Sequence, residues 1–262
     1  MQMDYAEGRR PRFDVGRVIE RTFGAIGGNA VTLLLAAAIF VAIPQGVWGV
    51  TQVRLMTTDG VDFGPVNFLT WGVGWIVSLV CSVMMQGVAT HAAVSDLQGR
   101  KATFQQCLGV AFRTLLPLIG LGILVGLGVM AGIILLIVPG IILMLMWSVA
   151  APVLIAERKG VLASMGRSRD LSRNNRGMIL LLFVIYVVVS WVFGMVFGLF
   201  SAGAMAASQV DFLFLQAVIL SPIAAALLSI LSAAGVAALY VELRTVKEGS
   251  GTGRQEIAAI FD

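Results

Sequence analysis

The sequence is short of nearly everything that enzyme chemistry requires. One histidine, His91, and two cysteines, Cys81 and Cys107, serve a chain of 262 residues. So small a set makes no zinc site without carboxylates placed by chance, and no disulfide framework. No Walker-type phosphate loop, no Gly-x-Ser-x-Gly elbow and no dinucleotide fingerprint occurs. Charge is scarce as well, with Asp, Glu, Lys and Arg at 12% of residues, about half the level of soluble domains. No ionisable residue falls near the middle of a long apolar run, which weakens a proton- or sodium-coupled transport reading. No catalytic residue, cofactor, metal or nucleic-acid partner is therefore expected. His91 reads as a hydrogen-bonding group near a helix end.

What the chain has in excess is hydrocarbon, with 58% hydrophobic residues. Runs without charge cover 22–53, 63–95, 114–156, 177–210 and 212–241. About 20 apolar residues cross a bilayer as helix, so 114–156 is too long for one crossing. Pro139-Gly140 is where a reversal would cut it. The pattern predicts an all-α polytopic membrane protein with six transmembrane helices, near 29–50, 67–93, 114–137, 140–156, 178–203 and 212–241. These form a single integral membrane domain over 1–245, with a cytoplasmic tail over 246–262. The first apolar run starts too late and runs too long for a signal peptide.

The cations are distributed unevenly. Of 18 Lys and Arg, all but Arg54 fall in the N-terminal segment, the second and fourth loops and the C-terminal tail. That alternation fits six spans, and the positive-inside rule then puts both termini in the cytoplasm. The steepest change lies in "APVLIAERKGVLASMGRSRDLSRNNR", where Arg158, Lys159, Arg167, Arg169, Arg173 and Arg176 follow the longest uncharged run. Each cation near an anionic leaflet contributes about 1 kcal/mol. Topology and headgroup attraction explain the cluster, with a dedicated anion or phospholipid-headgroup site as the alternative.

Three segments, starting at Phe13, Phe104 and Val161, each join a short helical stretch to a following hairpin of spans. They predict three helix-plus-hairpin units over 13–96, 97–157 and 158–242, with interfacial cytoplasmic helices. In the third helix Val161, Leu162, Met165 and Ser168 share a face that Ser172 continues. Each unit ends on an acid with a cation nearby: Asp96 with Arg100, Glu157 with Arg158, Glu242 with Arg244. Candidate headgroup or inter-unit contacts are Glu157, Arg167, Arg169, Arg173, Asp96, Arg113 and Glu242. Salt bridging of the acids to Arg113, Arg167, Arg169 or Arg173 would brace the interfacial helices. Small residues four apart, Gly122 with Gly126, Gly128 with Gly132 and Gly194 with Gly198, are expected to pack helices closely. Neutral polar residues such as Ser82, Ser148, Gln216 and Ser229 are expected to bond neighbouring helices. Trp48 and Trp71 flank the first outer loop as interfacial aromatics.

Pro139-Gly140, Pro152, Glu157, Gly160, Arg167-Ser168, Leu171 and Asn174-Asn175 resemble the pattern of the bacterial YciC-like membrane proteins. A related membrane domain is attached to some glycerophosphoryl diester phosphodiesterases. The C-terminal "ALYVELRTVKEG" is similar too, so the likeness covers roughly residues 95–260. Ser164 departs from it, standing where a small alanine is usual before the Arg-Ser pair. The resemblance implies a multi-pass inner-membrane protein, without phosphodiesterase activity, since the soluble catalytic domain has no counterpart here. The expected role is non-enzymatic: an envelope-associated scaffold or accessory protein that contacts membrane lipids or an unidentified membrane partner. The competing expectation is a small-molecule or lipid transporter with a cavity between the units.

Overall fold

A computed structural model describes residues 13–54, 65–97, 99–206 and 210–248, and every regular element among them is helical. Helices α1 (Val15–Gly28) and α7 (Val161–Ser172) accompany those that build the spans. The latter are α2 (Ala30–Arg54), α3 (Pro65–Leu97) and α4 (Phe104–Leu135), then α5 (Ile137–Met146), α6 (Ala150–Glu157) and α8 (Arg176–Ala206). A short α9 (Val210–Leu215) leads through a wide turn into α10 (Ser221–Glu248). Six stretches are long and apolar enough to cross a membrane: Ala30–Arg54, Phe68–Asp96, Phe104–Leu135, Ile137–Glu157, Arg176–Leu199 and Gln216–Glu248. The chain is thus an all-α polytopic membrane protein. The third and sixth spans are longer than expected, starting at Phe104 and ending at Glu248.

Local chemistry starts the helices. Asp14 caps α1, its Oδ1 accepting from the Gly16 N–H at 2.8 Å. Thr103 and Gln106 form a reciprocal capping box at the start of α4. That cap begins a single continuous helix, so the second unit has no separate interfacial helix, contrary to expectation. Its short stretch is the first part of α4, joined through Pro117.

Prolines shape the spans in two ways. Inside a helix, a proline ring clashes with the carbonyl four residues back. Pro44 and Pro222 each follow a π-helical turn, Ala38–Ala42 and Gln216–Leu220, where the ladder widens and the closing N–H reaches five residues back. The two wide turns belong to neighbouring helices. Gly46 and Gly49 of α2 lie against the Val218 and Ala217 carbonyls, and a Cβ at Gly46 would stand 3.2 Å from the Val218 oxygen. By contrast, Pro139 causes no reversal. The break between the third and fourth spans falls at extended Leu136 (φ −166°, ψ 144°), and Pro139-Gly140 lies in the first turn of α5. A proline is tolerated there because first-turn N–H groups have no intrahelical acceptor. Pro152 sits likewise in the first turn of α6, after the fourth span breaks at 147–149.

Side chains are buried mainly toward one end. α1 packs Val18, Thr22 and Ala25 against α10, in a core with Val149, Val153, Leu171, Tyr240 and Leu243. A second cluster joins α2, α3, α4 and α10 through Leu33, Ala36, Val88, Ala92, Cys107 and Ile230. A third joins α4 to α6 through Leu118, Leu121 and Leu154. The first half of α3 and nearly all of α8 expose their apolar side chains, as a surface solvated by lipid would.

The glycine pairs divide by face. At Gly128 a Cβ would stand 2.6 Å from the Trp147 ring, and at Gly132 it would stand 2.9 Å from the Gly140 Cα. Those two close the α4–α5 hairpin. Gly122, Gly126, Gly194 and Gly198 have nothing within 4 Å of an added Cβ, so they pack closely against no neighbour among the described residues. The serines Ser82, Ser148 and Ser229 turn back to carbonyls of their own helices rather than to neighbours. Gln216 does bridge helices, donating to the Phe197 carbonyl of α8 at 3.0 Å. Trp48 and Trp71 meet edge to face, ring centres 5.9 Å apart.

Candidate functional site

The charged residues converge where α1, α6, α7 and the end of α10 meet. Arg158 ends α6 in the left-handed conformation (φ 50°, ψ 34°), and Gly160 opens α7. This sharp reversal returns α7 along α6 and brings Arg167 back to Glu157. Arg167 Nε lies 3.3 Å from Glu157 Oε1, and Lys159 Nζ lies 2.6 Å from Oε2. The Tyr240 hydroxyl donates to Oε1 at 3.2 Å, tying in α10. Arg167 also pairs with Glu248, which Arg244 holds at 2.7 Å. Lys247 donates to the Asp170 carbonyl. The end of α10 therefore clasps α7 on one side while α6 holds it on the other.

Serines complete the attachment. Ser164, Ser168 and Ser172 form a fully buried stripe along α7. The helix break at 147–149 leaves the Met146 carbonyl without its usual acceptor role, because the Ala150 N–H turns to Trp147 instead. Ser168 Oγ donates to that carbonyl at 2.8 Å, and Ser172 Oγ lies 3.2 Å from it. A buried carbonyl left without a donor would cost about 1–3 kcal/mol, so the break and the serines are one feature. The stripe divides the face expected of α7: Ser168 and Ser172 are buried against the protein, whereas Leu162, assigned to the same face, is 74% exposed.

A second clasp lies across α10. Glu242 is fully buried, with Arg21 Nη1 at 2.7 Å and Arg17 Nη1 at 3.5 Å. Glu157 pairs with Lys159 and Arg167 rather than with Arg158 beside it in sequence, and Glu242 pairs with α1 rather than with nearby Arg244. Asp96 makes no ion pair with Arg100. Its carboxylate lies against the backbone of Gly28, where a Cβ would stand 2.7 Å from the oxygens. Of the four arginines expected to brace the acids, only Arg167 does so. Arg113, Arg169 and Arg173 are exposed and in no ion pair with the described acids. The cations Arg9, Arg10, Arg12 and Arg254, and the tail beyond Glu248, lie outside the described residues.

Arg17 and Arg21 were not among the sequence candidates. The signal available was their spacing, one helical turn apart beside the buried stripe Val18, Thr22 and Ala25. His91 forms no hydrogen bond or ion pair with Asp96, Glu157 or Glu242, so no acid–base set is assembled around it. Among the described residues, no group of three or more His, Cys, Asp or Glu is placed to hold a metal ion. An open groove of about 420 Å³ lies between α2 and the start of α10, lined by Ala42, Gly46, Val47, Val218, Ile219 and Pro222 among others. Its lining is apolar, so it offers no path for a polar solute.

Fold and site together define a multi-pass membrane protein whose charged end is tied by ion pairs between helices. No family model, curated protein or solved structure matches the chain.

Proposed function

We propose that this chain is a non-enzymatic scaffold or accessory protein of a bacterial inner membrane, of the YciC-like kind, with both termini in the cytoplasm. The observation that carries this reading is how the two acids of the charged end, buried Glu242 and half-buried Glu157, are used. Glu157 and Glu242 are both engaged in holding α1, α7 and α10 together. Groups committed to such braces are poorly suited to the changing protonation that proton relays and acid–base catalysis need. The largely bare surface of α8 is apolar area available to a membrane partner. The kinship is supported by the residues that carry it. Pro152, Glu157, Gly160, Arg167, Ser168 and Leu171 all lie at the joint of α6 with α7. Positive-inside asymmetry supports the orientation.

The test is chemical cross-linking in the native membrane followed by gentle purification and native mass spectrometry. A stoichiometric protein partner, cross-linked through α8, is the expected result. Substrate flux by the purified protein in liposomes, or turnover of lipid, would overturn the reading in favour of transport or catalysis.

A further inference from the structure

We propose that the corner between α7 and α8 is a binding site for a phosphate-bearing anion, supplied by the headgroup of an anionic phospholipid. Arg169 and Arg173 lie one helical turn apart on α7 and its C-terminal turn, and Arg176 opens α8 three residues later. Side chains three and four apart on a helix are neighbours, about 5–6 Å apart at Cβ. Arg169 and Arg173 are exposed and pair with no described acid. Lys247 adds a fourth cation, through its bond to the Asp170 carbonyl. Asp170 is the acid within this segment, and its carboxylate makes no ion pair with the three arginines.

The second observation is Arg176 Nε. This guanidinium N–H is buried, yet it has no hydrogen-bond acceptor among the described residues. A buried charged donor without an acceptor is costly, and because the Arg176 side chain as a whole is only half-buried, turning its guanidinium outward would let this donor meet an acceptor from outside the chain. A phosphate suits it, because guanidinium groups bind phosphate through paired, directional hydrogen bonds. The anchoring of α7 adds preorganisation. Ser168 and Ser172 fix the helix at the Met146 carbonyl, and Arg167 ties it to Glu157 and Glu248, so the exposed arginines stand on a rigid support. The corner is also amphipathic: Met178 and Leu180, beside Arg176 on α8, are exposed apolar side chains. Cations bordering hydrocarbon match the headgroup and acyl boundary of one lipid. A soluble acidic partner would meet the cations alone.

The proposal rests on the reading of this end as the cytoplasmic one, but not on the scaffold role. The experiment uses the full chain in detergent, titrated with dioleoylphosphatidylglycerol, dioleoylphosphatidylcholine or inorganic phosphate. Adducts are read by native mass spectrometry and thermal shift. One retained phosphatidylglycerol, with a rise in melting temperature that phosphatidylcholine does not reproduce, is expected. Arg169→Gln, Arg173→Gln and Arg176→Gln should each weaken binding about fivefold, given about 1 kcal/mol per cation. Arg176→Lys keeps the charge and loses the Nε donor, and should weaken binding measurably, though less than the glutamine variant does. Arg113→Gln, an exposed cation elsewhere, should leave the affinity unchanged.

An equal response to inorganic phosphate would keep the phosphate site but assign its ligand to the soluble pool. Equal binding of both lipids would overturn the proposal. So would an Arg176→Lys variant that binds like the native protein, or an Arg113→Gln variant that loses as much as the corner variants, since either leaves only diffuse attraction. A loss of lipid binding with cross-linked partner retained would separate this failure from that of the scaffold reading.

Discussion

The Glu242 clasp yields an asymmetric prediction. Glu242 is fully buried, while the side chains of Arg21 and Arg17 remain 25% and 35% exposed. Removing one partner of a buried pair costs about 3–5 kcal/mol when it strands a charge away from water. Arg21→Ala does that to the Glu242 carboxylate, leaving Arg17 at 3.5 Å as its remaining described partner. The remaining contact trims the cost to about 3 kcal/mol. Glu242→Gln instead leaves two guanidinium groups that already reach solvent, so the loss should be about 1–2 kcal/mol. Taking about 2–4 °C per kcal/mol for a chain of this size, Arg21→Ala should melt about 6–12 °C lower and Glu242→Gln about 2–8 °C lower. The combined Arg17→Met, Arg21→Met and Glu242→Leu variant removes every charge and restores apolar packing, so it should recover most of the loss. The assay is thermal unfolding in mild detergent followed by circular dichroism. If Glu242→Gln melts lower than Arg21→Ala, or the combined variant lower than both, burial of the carboxylate is not what makes the clasp sensitive.

Four other outcomes follow from the same contacts. Ser168→Ala should cost about 1 kcal/mol, and the double variant with Ser172→Ala about 2 kcal/mol, because only the double change leaves the Met146 carbonyl bare; equal melting of the two would show that Ser172 does not substitute. Gly132→Ala should destabilise the α4–α5 hairpin while Gly126→Ala is nearly neutral, since an added Cβ meets Gly140 at 2.9 Å in the first case and nothing within 4 Å in the second; detergent melts of the pair check this. Glu157→Ala should lower the melting temperature more than Arg167→Ala, because Glu157 also binds Lys159 and Tyr240 and its loss breaks three contacts at the joint at once; unchanged melting for both removes the joint between α6 and α7. With Cys81 and Cys107 changed to serine, a cysteine at Asn174 should react with membrane-impermeant maleimide only in inverted vesicles; labelling in intact spheroplasts refutes the cytoplasmic placement.

How much was legible in the chain depends on the range of the physics. Span number and approximate bounds follow from local composition, since some twenty apolar residues must leave water whatever they pack against. The capping of α1 and α4 is equally local. Helix breaks were only partly legible: the pattern placed the reversal at Pro139-Gly140, but a first-turn proline starts a helix as readily as another proline kinks one. The Gly-xxx-Gly pairs look alike as strings, yet only Gly128 and Gly132 meet a neighbour, because the rotation of α4 about its axis is set by everything else packed on it. Charge partners depended most on the tertiary structure. The sequence offered Arg113, Arg167, Arg169 and Arg173 as partners for the acids, and of these only Arg167 is one, on Glu157. Glu242 found its partners near the opposite end of the chain, on a helix that hydrophobic burial of Val18, Thr22 and Ala25 had docked against α10. Hydropathy, summed residue by residue, determined that this chain is a six-span helical membrane protein. Which helices touch, and therefore which acids meet which arginines, was decided only by their packing, because contact free energy belongs to pairs of surfaces rather than to single stretches.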